Sequence, residues 1–306
     1  ARLEAIKIEQ ELSELRAEQG KLEDILGSPA TLRRTVVKEI ETDAKQYGDD
    51  RRTLIQAEKR AVAEVKVIDE PVTVVISEKG WVRARTGHGH DPAGFAFKAG
   101  DALYGTFECR TVDPLIVLGT NGRVYSVPVS ALPGARGDGQ PITTMIELES
   151  GTQPVHYLAG TTDQTILLAN SAGFGLLAKL GDLTTRQKGG KSFLTLDEGA
   201  SLLPPVMVHG AHTQVACLSG DGRMLVFGLD ELKLQSNGGR GLTLMEVDAV
   251  KAPLVSVATV HQGVRVIGTT RGAKPKEDDV RNSAFAAHLG KRARKGKAAD
   301  LGFKPT

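Results

Sequence analysis

Eleven basic side chains stand where glycine loosens the backbone, and this combination has the chemistry of phosphate contacts. Lys79, Arg83, Arg85, Arg123 and Arg223 lie at or just after glycine turns, and Arg265 follows Gly263 by two residues. Arg136 belongs to the loop Leu132-Pro133-Gly134-Ala135-Arg136-Gly137-Asp138-Gly139-Gln140. Arg186, Lys188 and Lys191 belong to Leu183-Thr184-Thr185-Arg186-Gln187-Lys188-Gly189-Gly190-Lys191, and Arg240 to Leu232-Lys233-Leu234-Gln235-Ser236-Asn237-Gly238-Gly239-Arg240-Gly241. Glycine lets a backbone approach a phosphate and aim its N–H groups, while Arg and Lys supply charge. A single such loop is explained as well by a bend at a sheet corner with a solvated cation. Recurrence at one position of three consecutive repeats points to a shared ligand. Arginines at hairpin ends also keep sheet edges from associating, so each position carries both readings.

Other chemistries find little support. His88-Gly89-His90-Asp91 could ligate a metal, but no further ligand pair stands at useful spacing, and a polar turn explains it; no metal site is expected. Neither G-x-x-x-x-G-K-[ST] nor G-x-S-x-G occurs, and Cys109 and Cys217 lack an evident catalytic partner. No catalytic residue is therefore assigned. The two distant cysteines suggest no disulfide framework or structural zinc, which fits a reducing, cytoplasmic setting. No apolar run approaches the roughly 18 residues that span a bilayer, and no signal-peptide pattern opens the chain.

The elements that must position the cations are hairpins. Apolar strands meet at the turn glycines Gly80, Gly122, Gly173, Gly222 and Gly263, spaced by 42, 51, 49 and 41 residues. A period of about 40–50 with hairpins is the signature of blades set around an axis. The expected hairpins pair Val72–Ile76 with Trp81–Arg85 and Leu115–Leu118 with Val124–Val127. Further pairs are Thr165–Ala169 with Phe174–Ala178, Val215–Leu218 with Met224–Phe227, and Val255–Thr259 with Val264–Ile267. Strands at Thr143–Leu148, Phe193–Leu196 and Leu242–Val247 would bring blades to about four strands. If the blades sit side by side, the cations form a stripe that neutralises phosphates of a bent duplex without reading bases.

The first 47 residues differ. Ala5, Ile8, Leu12, Leu15, Gln19, Leu22 and Leu26 step by three and four, a coiled-coil seam. Gly27-Ser28-Pro29 ends this helix, and Leu32, Val36, Val37 and Ile40 give a second helix its stripe up to about Tyr47. The sequence thus divides into helices over 1–47, a connector over 48–69, a β domain over 70–271 and a tail over 272–306. Net charge is only +2, but residues 271–306 carry ten basic residues against four acids, so the tail reads as a mobile basic arm.

With these residues in hand, the chain resembles the C-terminal part of the A subunit of DNA topoisomerase IV, in the gyrase A family. The resemblance runs from Leu3-Glu4-Ala5-Ile6-Lys7-Ile8 through Asp43-Ala44-Lys45-Gln46-Tyr47-Gly48-Asp49-Asp50-Arg51-Arg52 to Gly80-Trp81-Val82-Arg83 and Lys98-Ala99-Gly100-Asp101. It implies a mainly β fold, a five-to-six-bladed β-pinwheel (propeller-like) preceded by an α-helical coiled-coil segment. It implies that the rim binds and bends double-stranded DNA, and that the helices belong to the exit-gate arm of an A-subunit homodimer. It also implies a fragment of a longer polypeptide that works with the topoisomerase IV B subunit, ATP and Mg in the holoenzyme. The fragment itself would need no cofactor and contact no membrane. Tyr47, Tyr104, Tyr125 and Tyr157 do not follow arginine as the family's catalytic tyrosine does, so the fragment is expected not to cut DNA.

One departure separates the two branches of the family. Gyrase carries a Gln-Arg-Arg-Gly-Gly-Lys-Gly box after its first blade; here the first-repeat loop reads Thr86-Gly87-His88-Gly89-His90-Asp91-Pro92-Ala93-Gly94. The nearest partial matches are Arg186–Lys191 and Asn237–Gly241. This favours DNA bending and decatenation over wrapping, with a gyrase-type wrapping domain and a propeller-like protein-interaction scaffold as the alternatives. Charge reversal at Arg123, Arg186 and Lys191 is expected to weaken DNA binding and spare the fold.

Overall fold

In a computed structural model, the described residues are 2–49, 67–134, 137–270 and 272–305. The chain divides into two compact units, Ala1–Val65 and Lys66–Thr306. In the first, helix α1 spans Arg2–Gly27 and helix α2 spans Pro29–Tyr47. Ser28 caps α2, its Oγ accepting from the Thr31 N–H at 3.4 Å, and Pro29 occupies the first turn, where no N–H is missed. The apolar seam residues Ile8, Leu12, Leu15, Leu22 and Leu26 are exposed, as are Leu32, Val36, Val37 and Ile40. Residues 50–66 of the expected connector lie outside the described residues.

The second unit is a β-pinwheel of five sheets. The first blade orders its strands Leu103–Arg110, Pro71–Ser77, Trp81–Thr86 and Gln140–Pro141; the second, Pro154–Ala159, Pro114–Gly119, Arg123–Pro128 and Lys191–Ser192. The third runs Val206–Met207, Thr165–Ala169, Phe174–Lys179 and Leu242–Thr243, and the fourth Leu254–Val260, Gln214–Ser219, Arg223–Gly228 and Lys297–Ala298. The fifth has three strands, Pro275–Arg281, Gly263–Thr269 and Lys304–Pro305. In each four-stranded blade the last strand named comes from the following repeat. The chain makes a hairpin, reaches back to edge the previous blade, and returns to complete its own.

The apolar runs follow from stacking sheet on sheet. In the second blade Leu115, Val117, Tyr125 and Val127 pack against Val72, Val74, Ile76 and Val82 of the first. Their neighbours Ile116, Leu118 and Val124 face the other way, onto Ile166, Leu168, Leu176 and Ala178 of the third. The fourth blade divides likewise, Val215 and Cys217 toward the third and Ala216 and Leu218 toward the fifth. A strand buried on both faces loses the polar alternation of a half-exposed one, so it reads as an unbroken apolar run.

Three expectations need correction. Leu254–Val260 pairs with Gln214–Ser219 of the fourth blade, not with Gly263–Thr269, whose hairpin partner is Pro275–Arg281. No strand forms at Thr143–Leu148 or Phe193–Leu196, where the two-residue edges Gln140–Pro141 and Lys191–Ser192 lie just before, and Leu242–Val247 shrinks to Leu242–Thr243. The tail is no free arm: it supplies Pro275–Arg281, the short helix α3 (Asn282–Ala286), Lys297–Ala298 on the fourth blade and Lys304–Pro305 on the fifth. Pro275–Arg281 buries only Val280, so its charge pattern concealed a strand.

Candidate nucleic-acid interface

The loops that lead into the borrowed edge strands are equivalent in all four complete blades. Each enters beside the residue four beyond the turn glycine. Ala84 bridges Gly134, Leu177 bridges Leu234 and Val226 bridges Leu289, all in parallel. In the second blade the Ser126 side chain takes this role, its Oγ donating to Thr185 O at 2.7 Å and accepting from Thr185 N at 2.9 Å.

Each loop then closes on a left-handed glycine seated on a backbone carbonyl two residues beyond the turn glycine. Gly139 sits on Val82, Gly190 on Val124, Gly241 on Gly175 and Gly296 on Met224, with φ of 88°, 66°, 82° and 70°. A side chain at any of the four would collide with that carbonyl. The recurrence that suggested a shared ligand therefore has an architectural cause: this glycine lets the borrowed strand dock. Charge, not glycine, must identify the binding loops.

Charge divides the eleven expected residues. Four are spent holding the fold. Arg83 is buried, donating from Nη1 to Gly137 O and from Nη2 to Ala96 O, each at 2.7 Å, while Phe95 and Phe97 flank its guanidinium. Arg123 donates to Gly189 O and Gly190 O and meets Glu149 at 3.1 Å. Lys191 Nζ donates to Asp182 O at 2.6 Å. Arg240 meets Asp197 at 2.7 Å and lies 4.1 Å above the Phe174 ring. Two more are matched by acids at the surface, Arg223 by Asp221 at 3.2 Å and Arg265 by Asp279 at 2.7 Å and Glu277 at 3.5 Å. The Arg265 guanidinium holds the Asp279 carboxyl below its ordinary range.

The exposed remainder is Lys79, Arg85, Arg186 and Lys188. Arg85 lies 5.8 Å from the Phe95 ring. Arg186 and Lys188 have no hydrogen bond or ion pair among the described side chains, and the Lys188 carbonyl is fixed by the Glu147 N–H at 2.9 Å. A rigid backbone thus presents two open cations. Arg136 lies outside the described residues.

Sequence reasoning missed two features. Lys98 stands 3.4 Å over the Trp81 ring, a loop cation on the residue after the first turn glycine. The second is the loop Lys291–Lys297, hidden inside the supposed tail. The signal was present, since Arg186-Gln187-Lys188-Gly189-Gly190-Lys191 and Arg292-Ala293-Arg294-Lys295-Gly296-Lys297 both read R-x-[KR]-x-G-K. The His88–Asp91 turn has local uses: His88 Nε2 lies 2.8 Å from Cys109 O, His90 Nε2 lies 2.9 Å from Thr86 O, and Asp91 accepts from Ala93 N.

Comparison with known proteins places these repeats. The family described as "DNA gyrase C-terminal domain, beta-propeller" matches residues 113–149, 164–205 and 213–260, the second to fourth repeats. The DNA topoisomerase 4 A-chain protein of Neisseria gonorrhoeae is 38% identical over 303 residues, covering 96% of this chain and 39% of that protein. Its Escherichia coli K12 counterpart is 35% identical over 283 residues, covering 87% and 38%. Among solved structures, the E. coli ParC C-terminal domain matches with a TM-score of 0.69 at 29% identity, over 78% of this chain and 97% of that one. A DNA gyrase A C-terminal domain shares the fold with a TM-score of 0.54 at 18% identity, over 78% of this chain and 81% of that one. The chain spans about two fifths of the length of the topoisomerase 4 proteins it matches.

Proposed function

Because this chain belongs to the gyrase A family, as a counterpart of the C-terminal region of topoisomerase 4 A subunits, we propose that its pinwheel grips and bends the backbone of duplex DNA. The observation that carries this reading is the Arg186–Lys188 loop, whose backbone is fixed and whose cations are open. Lys79 and Arg85 on the first blade add exposed charge. Contacts of this kind neutralise phosphates and carry no base information. Aromatic residues are only 4% of the chain, so preference falls on DNA shape and crossing geometry.

In the complete enzyme the bent segment is the one delivered for passage, which favours decatenation and relaxation. There the A subunits pair, the B subunit brings ATP and Mg chemistry, and strand cleavage belongs to a part of the enzyme outside this chain. The working place is the cytoplasm, on the chromosome.

The test is fluorescence anisotropy of the full 306-residue chain with a labelled duplex between about 50 and 200 mM salt. Affinity should be roughly micromolar or weaker at physiological salt and fall steeply as salt rises. Arg186→Glu with Lys188→Glu should weaken it further without unfolding the protein. These two replace the Arg123, Arg186 and Lys191 set suggested by sequence, because Arg123 and Lys191 hold the loop itself. Binding that ignores salt would overturn the proposal.

A further inference from the structure

We infer that the loop Lys291–Lys297 is a second contact for the DNA backbone, so that the duplex is held at the second and fourth blades and passes the third with little charge beneath it. This rests on the DNA-binding reading above and adds a site to it.

Aligned on the seated glycine, one position alternates around the ring. The equivalents are Gly137, Lys188, Gly239 and Arg294 in the first to fourth blades. The carbonyl at this position is fixed in every blade. Gly137 O accepts from Arg83 Nη1, Lys188 O from Glu147 N at 2.9 Å, Gly239 O from Thr195 N at 3.0 Å and Arg294 O from Glu246 N at 3.1 Å. The carbonyl is therefore held four times, through left-handed glycines at Gly137 and Gly239 and outside the left-handed region at Lys188 and Arg294, while the side chain is absent, cationic, absent and cationic.

The neighbouring positions reinforce the alternation. The second-blade loop carries Arg186, Lys188 and Lys191 with no acid from Thr185 to Lys191. The fourth-blade loop carries Lys291, Arg292, Arg294, Lys295 and Lys297 with no acid from Gly290 to Lys297. The first-blade loop balances Arg136 with Asp138. From Ser236 to Leu242 the third-blade loop has Arg240 alone, held between Asp197 at 2.7 Å and the Phe174 ring at 4.1 Å.

The fourth loop is also firmly built. Gly290 N donates to Val226 O at 2.8 Å, Ala293 N to Leu244 O at 2.9 Å, and Arg292 Nη1 to Thr243 O at 2.6 Å. Lys291 and Arg294 are exposed without an ion pair among the described residues. Lys295 meets Glu246 at 3.6 Å, both well exposed, and such a surface pair exchanges readily for a phosphate. Backbone bonds, Arg292 and the Glu231 carboxylate, which accepts from Arg292 N at 2.9 Å, hold the loop, leaving Lys291, Arg294 and Lys297 without an ion pair among the described residues and Lys295 in an exposed one.

The experiment compares the full chain with Lys291→Gln/Arg294→Gln/Lys295→Gln and with Arg186→Gln/Lys188→Gln. Each lost phosphate contact lowers the slope of log affinity against log salt by about 0.9. The triple variant should lose about 2–3 from the slope, and the double variant about 2. Because a variant could misfold, the unaltered protein is also acetylated with and without duplex and read by mass spectrometry. Lys188, Lys291 and Lys295 should be protected by DNA, and Lys233 on the third blade should not. An unchanged slope in the triple variant, or Lys291 and Lys295 labelled equally with and without DNA while Lys188 is protected, would overturn the inference and leave DNA binding standing. Salt-insensitive affinity of the unaltered chain with no protection of Lys188 would instead remove the functional reading on which it rests.

Discussion

Gly190 lies so close to Val124 that a Cβ on the glycine would stand 2.5 Å from the valine carbonyl oxygen. The same seat recurs under Gly296, on Met224. It joins the borrowed strand to the host blade and fixes where the loop cations point.

Gly190→Ala should therefore lower stability by about 1–3 kcal/mol, from left-handed strain and displacement of the loop. Gly189→Ala, one residue earlier, has open space and should stay within about 0.5 kcal/mol of the parent. Urea unfolding monitored by circular dichroism distinguishes the pair. Equal effects would mean that the seat plays no part.

The arginines of the glycine-rich turns and loops should separate into two kinds. Arg83→Ala leaves Gly137 O and Ala96 O without their donor and empties the space between Phe95 and Phe97. A loss of about 2–4 kcal/mol is expected. Arg186→Ala, exposed and unpaired, should leave the melting temperature unchanged and weaken DNA binding. Thermal melts and anisotropy on both variants check the division.

Val280 is the one buried residue of Pro275–Arg281 and packs with Val266, Phe285 and Leu301. Val280→Asp should destabilise the protein by about 2–4 kcal/mol, as a charge without a partner in an apolar cluster. Asp278→Ser, exposed although it shares the face of Val280, should be neutral. A free arm would tolerate both, so denaturant melts decide between arm and blade.

His156 predicts a pH response. Its Nδ1 lies 3.2 Å from Tyr104 Oη and its Nε2 lies 3.1 Å from Leu202 O, which links strands of the first two blades to the third. Burial pushes its imidazole below the ordinary value near 6.5, with the Leu202 carbonyl opposing. The unfolded chain therefore takes up a proton before the folded one. Stability should be whole above about pH 6.5 and fall as pH drops through the depressed folded value. His156→Gln should flatten that part of the curve, measured as urea midpoints from pH 8 to 5.

The hairpins of the first four blades were legible because their strands are buried on both faces and their turns carry glycine. The fifth was not. Gln262-Gly263 looked like its turn, yet Gly263 begins a strand, and the true partner Pro275–Arg281 shows five exposed residues before its one buried valine. The borrowed strands are two residues long, too short for any periodicity to mark. The cations were legible as a set, but their division was not. Arg83 and Arg186 are the same residue type in similar glycine-rich surroundings, and only Phe95, Phe97 and two carbonyls around the first tell them apart.

Strand borrowing also sets an order of events on the ribosome. Trp81–Thr86 receives its edge from Gln140–Pro141, and 54 residues separate Thr86 from Gln140 (140 − 86). At about 5–20 residues per second, that edge stays open for roughly 3–11 s of synthesis. The second, third and fourth blades wait 63, 63 and 69 residues for theirs (191 − 128, 242 − 179 and 297 − 228), so maturation travels from blade to blade one repeat behind translation. During that interval each nascent blade offers an unpaired margin to other chains, and its protection is timed by how quickly the next repeat emerges.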